Sequence, residues 1–209
     1  MQAARKIMMT FTEGDSPVWR ELLVPYQATA ADLGRWLSLA GGYSGRESWE
    51  LLCHEFKMRI TEDRQLLDEA KALKAQRRAE AEAKGEEVAE VAGETMIVRA
   101  SDLPLDPFLA DHPKLTFIYD MTDEWRWEMT AEDMDEPVAG QLPRLIQGMG
   151  TAPFVGVGGL QGYYDLVSEL TEDGPEAKAI RDWLDRAGLF FYDADRVQAA
   201  LGQEGENKQ

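Results

Sequence analysis

Asp120 and Asp123 are the two side chains in this sequence best spaced for acid/base work. Carboxylates held close together split their pKa values, so one of them can keep a proton near neutrality. A turn competes with that chemistry and is the stronger reading, because aspartates at a hairpin tip hydrogen-bond their own backbone. Downstream, Gly156, Gly158, Gly159 and Gly162 precede a helix predicted from Tyr163 onward. Backbone N–H groups at such a helix start can cradle a phosphate. No strand clearly leads into the loop and no Lys-Ser/Thr pair follows, so neither the Walker nor the dinucleotide fingerprint is met. A structural loop that needs positive φ is the better reading there. If the chain binds a small ligand, the site is expected between these segments, with Asp120, Asp123 and Trp125 on one side and Gly158, Gly159, Gly162 and Tyr163 on the other. His54 is a further candidate contact.

Metal and nucleophilic chemistry have less to work with. A metal centre needs about three or four converging His, Cys, Asp or Glu ligands. Nitrogen and sulfur come only from His54, His112 and Cys53, and the adjacent Cys53 and His54 point to opposite sides of a strand. His54 reads first as a hydrogen-bonded core histidine, and His112, beside Pro113, as an exposed turn residue. Neither a Ser-His-Asp nor a Cys-His pairing can be assembled. No catalytic residue, metal or cofactor is assigned.

The elements that must position these residues follow from periodicity. Ile7, Met9 and Phe11 alternate with Met8 and Thr10, and a second extended run covers Val18 to Val24, so the two form a hairpin across the Gly14-Asp15-Ser16-Pro17 turn. Thr29 and Asp32 have the spacing of a helix cap ahead of Leu33, Trp36, Leu37 and Ala40, and Gly41-Gly42 ends that helix. Trp49 to Ile60 reads as one strand, with Leu52, His54, Phe56, Met58 and Ile60 on a shared face. From Glu62 to Gly85 charged residues alternate with alanine, which predicts an exposed helix, and a flexible connector is expected from there to about Thr95. Leu115, Phe117 and Tyr119 alternate into an acidic turn, and Trp125, Trp127 and Met129 alternate out of it, forming a second hairpin. Pro143 to Gly162 reads as an ordered loop. Helices are expected around Tyr163 to Leu170, from Pro175 to a stop at Gly188, and after Asp193. The fold class is therefore α+β, opening as hairpin, helix and strand in a β-grasp-like or roll-like mixed sheet, followed by a second hairpin and C-terminal helices. One domain is expected over 1–201 with a charged helical insertion at about 62–95, and 202–209 form a disordered tail.

Composition narrows the partners. The 209 residues are 44% hydrophobic, enough for a real core. A formal charge of -17, from 39 acidic against 22 basic residues, repels phosphate backbones and anionic membranes. Neither direct nucleic-acid binding nor membrane association is expected. Cys53 is the only cysteine, which excludes an internal disulfide and fits a reducing cytoplasm.

Four blocks in order carry a family resemblance: Ser16-Pro17-Val18-Trp19-Arg20 with Leu23-Val24-Pro25 and Thr29 to Leu33; His54-Glu55-Phe56; Tyr119-Asp120-Met121-Thr122-Asp123-Glu124-Trp125; and Gly158-Gly159-Leu160-Gln161-Gly162-Tyr163. Together they resemble the Ri-plasmid ORF-three-like family, whose relatives also travel as passenger proteins of insertion sequences. The resemblance implies an α+β fold and an association with plasmids and transposons. It departs at Leu52 and Trp127, where the family tends to carry histidine, and at Pro153-Phe154-Val155-Gly156, which replaces a Pro-Pro-Glu-Asp run. The function expected first is that of an accessory or interaction protein of a mobile element, with a protein partner contacting the exposed helix or the Trp125/Trp127 hairpin. A small-ligand binder or enzyme using the hairpin and glycine loop comes second, and an acidic DNA mimic third.

Overall fold

Successive side chains on a strand point to opposite sides of the sheet, and in this chain the main hydrophobic core lies on one of those sides. A computed structural model describes residues 1–14, 17–85, 94–170 and 174–206. The first hairpin is the expected one, β1 (Ala4–Phe11) against β2 (Trp19–Pro25). Helix α1 (Ala30–Gly41) starts on a capping box: Thr29 Oγ1 accepts the Asp32 N–H at 3.3 Å, and the Asp32 carboxylate accepts the Thr29 N–H at 2.9 Å. Such a cap stabilises by about 1 kcal/mol. The helix stops at Gly42, whose φ of 88° suits glycine.

The run from Trp49 to Ile60 is two strands and not one. β3 (Trp49–Cys53) turns through His54–Lys57 into β4 (Met58–Thr61), and the two pair antiparallel. No glycine or proline marks that reversal; Lys57 itself takes the left-handed conformation, φ 48°. The shared face expected of these residues is therefore split, with Leu52 on one side of the sheet, Ile60 on the other, and Phe56 48% exposed in the turn. Helix α2 (Arg64–Lys84) follows as expected, capped by Asp63 and Gly85, with Leu67 its one buried residue. The connector expected up to Thr95 falls mostly on 86–93, outside the described residues. β5 (Met96–Arg99) then returns parallel to β4, completing a crossover unit through α2. A 3-10 turn (Ala100–Asp102) and α3 (Leu105–Asp111) lead to the second hairpin, β6 (Lys114–Tyr119) and β7 (Trp125–Asp133).

β8 (Arg144–Met149) lies inside the segment read as loop; it lines the sheet edge against β2, with a bulge between Glu21 and Leu22. Helices α4 (Gly159–Leu170), α5 (Pro175–Ala187) and α6 (Ala194–Glu206) complete the chain, and α6 continues through Gly202 into the stretch expected to be tail. The sheet order is β5-β4-β3-β6-β7-β1-β2-β8, mixed because β4 and β5 run parallel. The fold is α+β. No helix among the described residues is long and apolar enough to cross a membrane.

Leu33, Trp36 and Leu37 of α1 and Val197 and Leu201 of α6 cover Ile7, Met9, Leu22, Leu51, Phe117 and Trp127, all at most 1% exposed. The opposite face of the central strands carries Lys6, Met8, Thr10, Thr116, Glu128 and Thr130. Cross-strand polar pairs dress it, such as Lys6 with Glu132 at 2.7 Å.

Candidate ligand-binding groove

The residues singled out in the sequence divide between the two faces. Asp120 is 7% exposed and left-handed, φ 57°, and its Oδ1 accepts the Thr122 N–H at 3.0 Å, so it sets the hairpin turn. Asp123 reaches the glycine loop, where its Oδ2 accepts the Gly156 N–H at 3.1 Å. Hairpin tip and loop therefore meet, as the ligand-site hypothesis requires, but through a direct hydrogen bond. Tyr163 donates its hydroxyl to the Thr151 carbonyl at 3.1 Å. Gly158 and Gly159 both have positive φ, whereas Gly162 is required by packing, since a Cβ there would lie 1.7 Å from the Val157 carbonyl oxygen. Trp125 is wholly buried among the core aromatics, beside Phe11.

His54 does not join them. It is exposed on the face opposite the main core, and its Nε2 lies 2.8 Å from Thr116 Oγ1, which corrects its expected place in the core. His112 is also displaced from expectation, tucked between Phe56 and Phe108. Among the described residues no cluster of three His, Cys, Asp or Glu side chains could hold a metal ion.

A tight pocket lies between the end of α1, the 151–154 segment and the 189–192 segment, and Arg20 is its buried charge. Arg20 is 1% exposed and has no carboxylate partner among the described residues; Nε donates to the Ala40 carbonyl, Nη1 to those of Trp19 and Met149, and Nη2 to that of Gly150, all at 2.7–2.8 Å. Its guanidinium stacks 3.8 Å from the Tyr192 ring centre. Burial pulls its pKa down to about 10, still charged at neutral pH. The carbonyl dipoles replace water around the cation, and they bind the C-terminus of α1, the β2–β8 edge and the following loop into one joint. Tyr43 stacks on Tyr119 nearby, with ring centres 4.1 Å apart, and burial raises the pKa of both hydroxyls.

A roomier concavity than the Arg20 pocket is on the other face. An open groove of about 380 Å³ runs over β3, β4, β6 and β7, within the range of small-molecule sites. Leu52, Met58, Ile118 and Met121 supply apolar lining, and Ile118 is 3% exposed. Charged lining comes as pairs: Arg59 holds the buried Glu50 carboxylate through Nε at 2.9 Å and Nη2 at 2.5 Å, and Arg126 pairs with Glu124. His54 and Lys57 stand at one side of it. Lys57 and Glu124 are two of the three left-handed non-glycine residues among those described, and both line this groove. Such conformations cost about 1–3 kcal/mol each and gather at ligand clamps.

Apart from His54, the groove residues were not read from the sequence as a site. Their signal was available: Glu50 between Trp49 and Leu51, and Arg126 between Trp125 and Trp127, are charges on the polar beat of an alternating strand.

An eight-stranded mixed α+β sheet with its main core on one face and the groove on the other defines the class of protein. The chain belongs to the plasmid pRiA4b ORF-3-like protein family, whose model matches residues 3–200. In fold it is similar to the crystal structure of a protein of unknown function from Methanosarcina mazei Go1, at 16% identity and a TM-score of 0.58, covering 88% of this chain and 91% of that one. No curated protein matches the chain.

Proposed function

We propose that this chain is a ligand-binding protein serving, as an accessory, the mobile elements for which its family is named. The observation that carries this reading is the groove itself: a concavity of about 380 Å³ with an apolar floor, paired charges and two strained rim residues, on the sheet face opposite the main core. The two aspartates first suggested for acid/base work support binding over catalysis, since each carboxylate is engaged by a backbone N–H. The buried thiol of Cys53 and the acidic surface fit a cytoplasmic protein.

Chemical-shift mapping with a fragment library tests this on the intact chain. Hits are expected to move the methyl resonances of Leu52, Ile118 and Met121 together. Hits that converge instead on Thr151 and Tyr163 would transfer the site to the glycine loop, and a library that moves neither set would remove the ligand-binding reading. A second reading, with the ligand beneath the glycine loop, is favoured by the contact between Asp123 and Gly156.

A further inference from the structure

The groove is an exception to the charge of its own protein. Against a whole-chain charge of -17, its lining carries three cations, Lys57, Arg59 and Arg126, and two carboxylates, Glu50 and Glu124. Hydrogen-bond capacity is more lopsided than charge. Both oxygens of Glu50 are engaged by Arg59, and one oxygen of Glu124 by Arg126. Among the described residues Arg59 nevertheless makes no hydrogen bond through Nη1, although Asp63 and Glu124 also act on its charge, and Arg126 keeps donors beyond the Nη2 that meets Glu124. Lys57 makes no ion pair among the described residues, although its side chain carries three donors. His54 spends one ring nitrogen on Thr116 and retains the other. The unspent capacity at the rim is thus mostly donors, while the floor of Leu52, Ile118 and Met121 offers no polar partner.

A ligand complementary to this arrangement presents acceptors and negative charge to the rim and an apolar body to the floor. Resting on the reading of the groove as a ligand site, we propose that its ligand is a small organic anion, a carboxylate or phosphate on an apolar framework, with the anion at Lys57 and Arg126 and the framework over Leu52 and Ile118. Binding such a molecule pairs Lys57, the rim cation with no ion pair among the described residues, whereas a neutral ligand of the same shape desolvates Lys57 with nothing in return. The negative field of the whole protein opposes approach at low ionic strength. At about 0.15 M salt the Debye length is about 8 Å, so that field is screened while contacts inside the groove persist.

Two probes of similar shape separate the possibilities: anionic 8-anilinonaphthalene-1-sulfonate and neutral N-phenyl-1-naphthylamine, titrated into the full chain at 0.15 M salt. Fluorescence gives affinity, and methyl shifts of Ile118 and Met121 give location. The anion is expected to bind at the groove at least about tenfold more tightly than the neutral probe, a gap of about 1.4 kcal/mol. Lys57→Glu should weaken the anion at least about fivefold with Lys57→Gln intermediate, while Lys6→Glu, on the same face outside the groove, should leave it within about twofold. Both positions are surface side chains, and an unchanged melting temperature certifies each variant as folded. Equal affinity of the two probes, with shifts at Ile118 and Met121, would overturn the anion preference and leave the groove standing as a ligand site. Shifts at neither residue with either probe would overturn both.

Discussion

The two faces of the sheet are made from the same strands and do opposite work. On the covered face, Trp125, Trp127 and Met129 of β7 are each wholly buried under α1, α6 and the loops between them. On the other face the same strand shows Arg126, Glu128 and Thr130. One residue of offset separates a core position from a groove position, because a strand sends alternate side chains to alternate faces. The difference also explains why the ligand-site candidates scattered. Tryptophans and turn aspartates draw attention by type, yet in this chain they hold the core and the hairpin, whereas the groove is built from the less conspicuous residues between them.

Replacing Trp127 with alanine should show the contrast at its largest. Loss of a fully buried tryptophan is expected to cost about 3–5 kcal/mol, measured by urea unfolding, while Met8→Ala, half-buried on the opposite face, should cost under about 1 kcal/mol. A Met8 variant as damaging as the Trp127 one would mean that the second face is covered in solution, and the comparison would break.

Two arginines sharpen it further. Arg20→Met removes the donors from four carbonyls in the covered layer, and an expected loss of about 3 kcal/mol follows from leaving such groups buried without partners. Arg59→Met strands the buried Glu50 carboxylate on the opposite face. Arg59 is 37% exposed, so water softens the penalty, to about 1–2 kcal/mol. The double variant Glu50→Gln with Arg59→Met should recover part of that loss. If it costs the sum of two independent changes, the pair is not coupled and the groove wall is not held by it.

Legibility in the sequence followed the range of the interactions. The Thr29–Asp32 cap, the Gly42 and Gly188 stops and the two hairpins were readable because each is settled within a few residues. The β3–β4 reversal was not, because Lys57 turns the chain without glycine or proline. β8 was lost in a glycine- and proline-rich stretch, and its strand character depends on the partner edge of β2. The meeting of Asp123 with the glycine loop was anticipated as a neighbourhood. The groove was not, since Glu50, Arg59, Ile118 and Arg126 come from four strands whose order in the sheet no local pattern encodes.

The smallest expected effect joins the covered face to pH. Glu47 sits beside the stacked tyrosines, where its Oε2 accepts hydrogen bonds from the Tyr119 hydroxyl and, at 2.9 Å, from Ser44. Partial burial works to raise its pKa, but these hydrogen bonds to the charged form outweigh it and hold the carboxyl below its ordinary value of 4.5. A carboxyl with a depressed pKa in the folded protein binds fewer protons there than in the unfolded chain, so stability rises with pH through that window. Its contribution is present above 4.5 and lost as pH falls through the folded value. Glu47→Gln is neutral at every pH and should cost about 1 kcal/mol or less at pH 7. The gap between the two unfolding curves should then close as the pH is lowered below 4.5. A gap that stays constant down to pH 3 would show that the carboxylate charge contributes nothing, and that Glu47 acts on Tyr119 by packing alone.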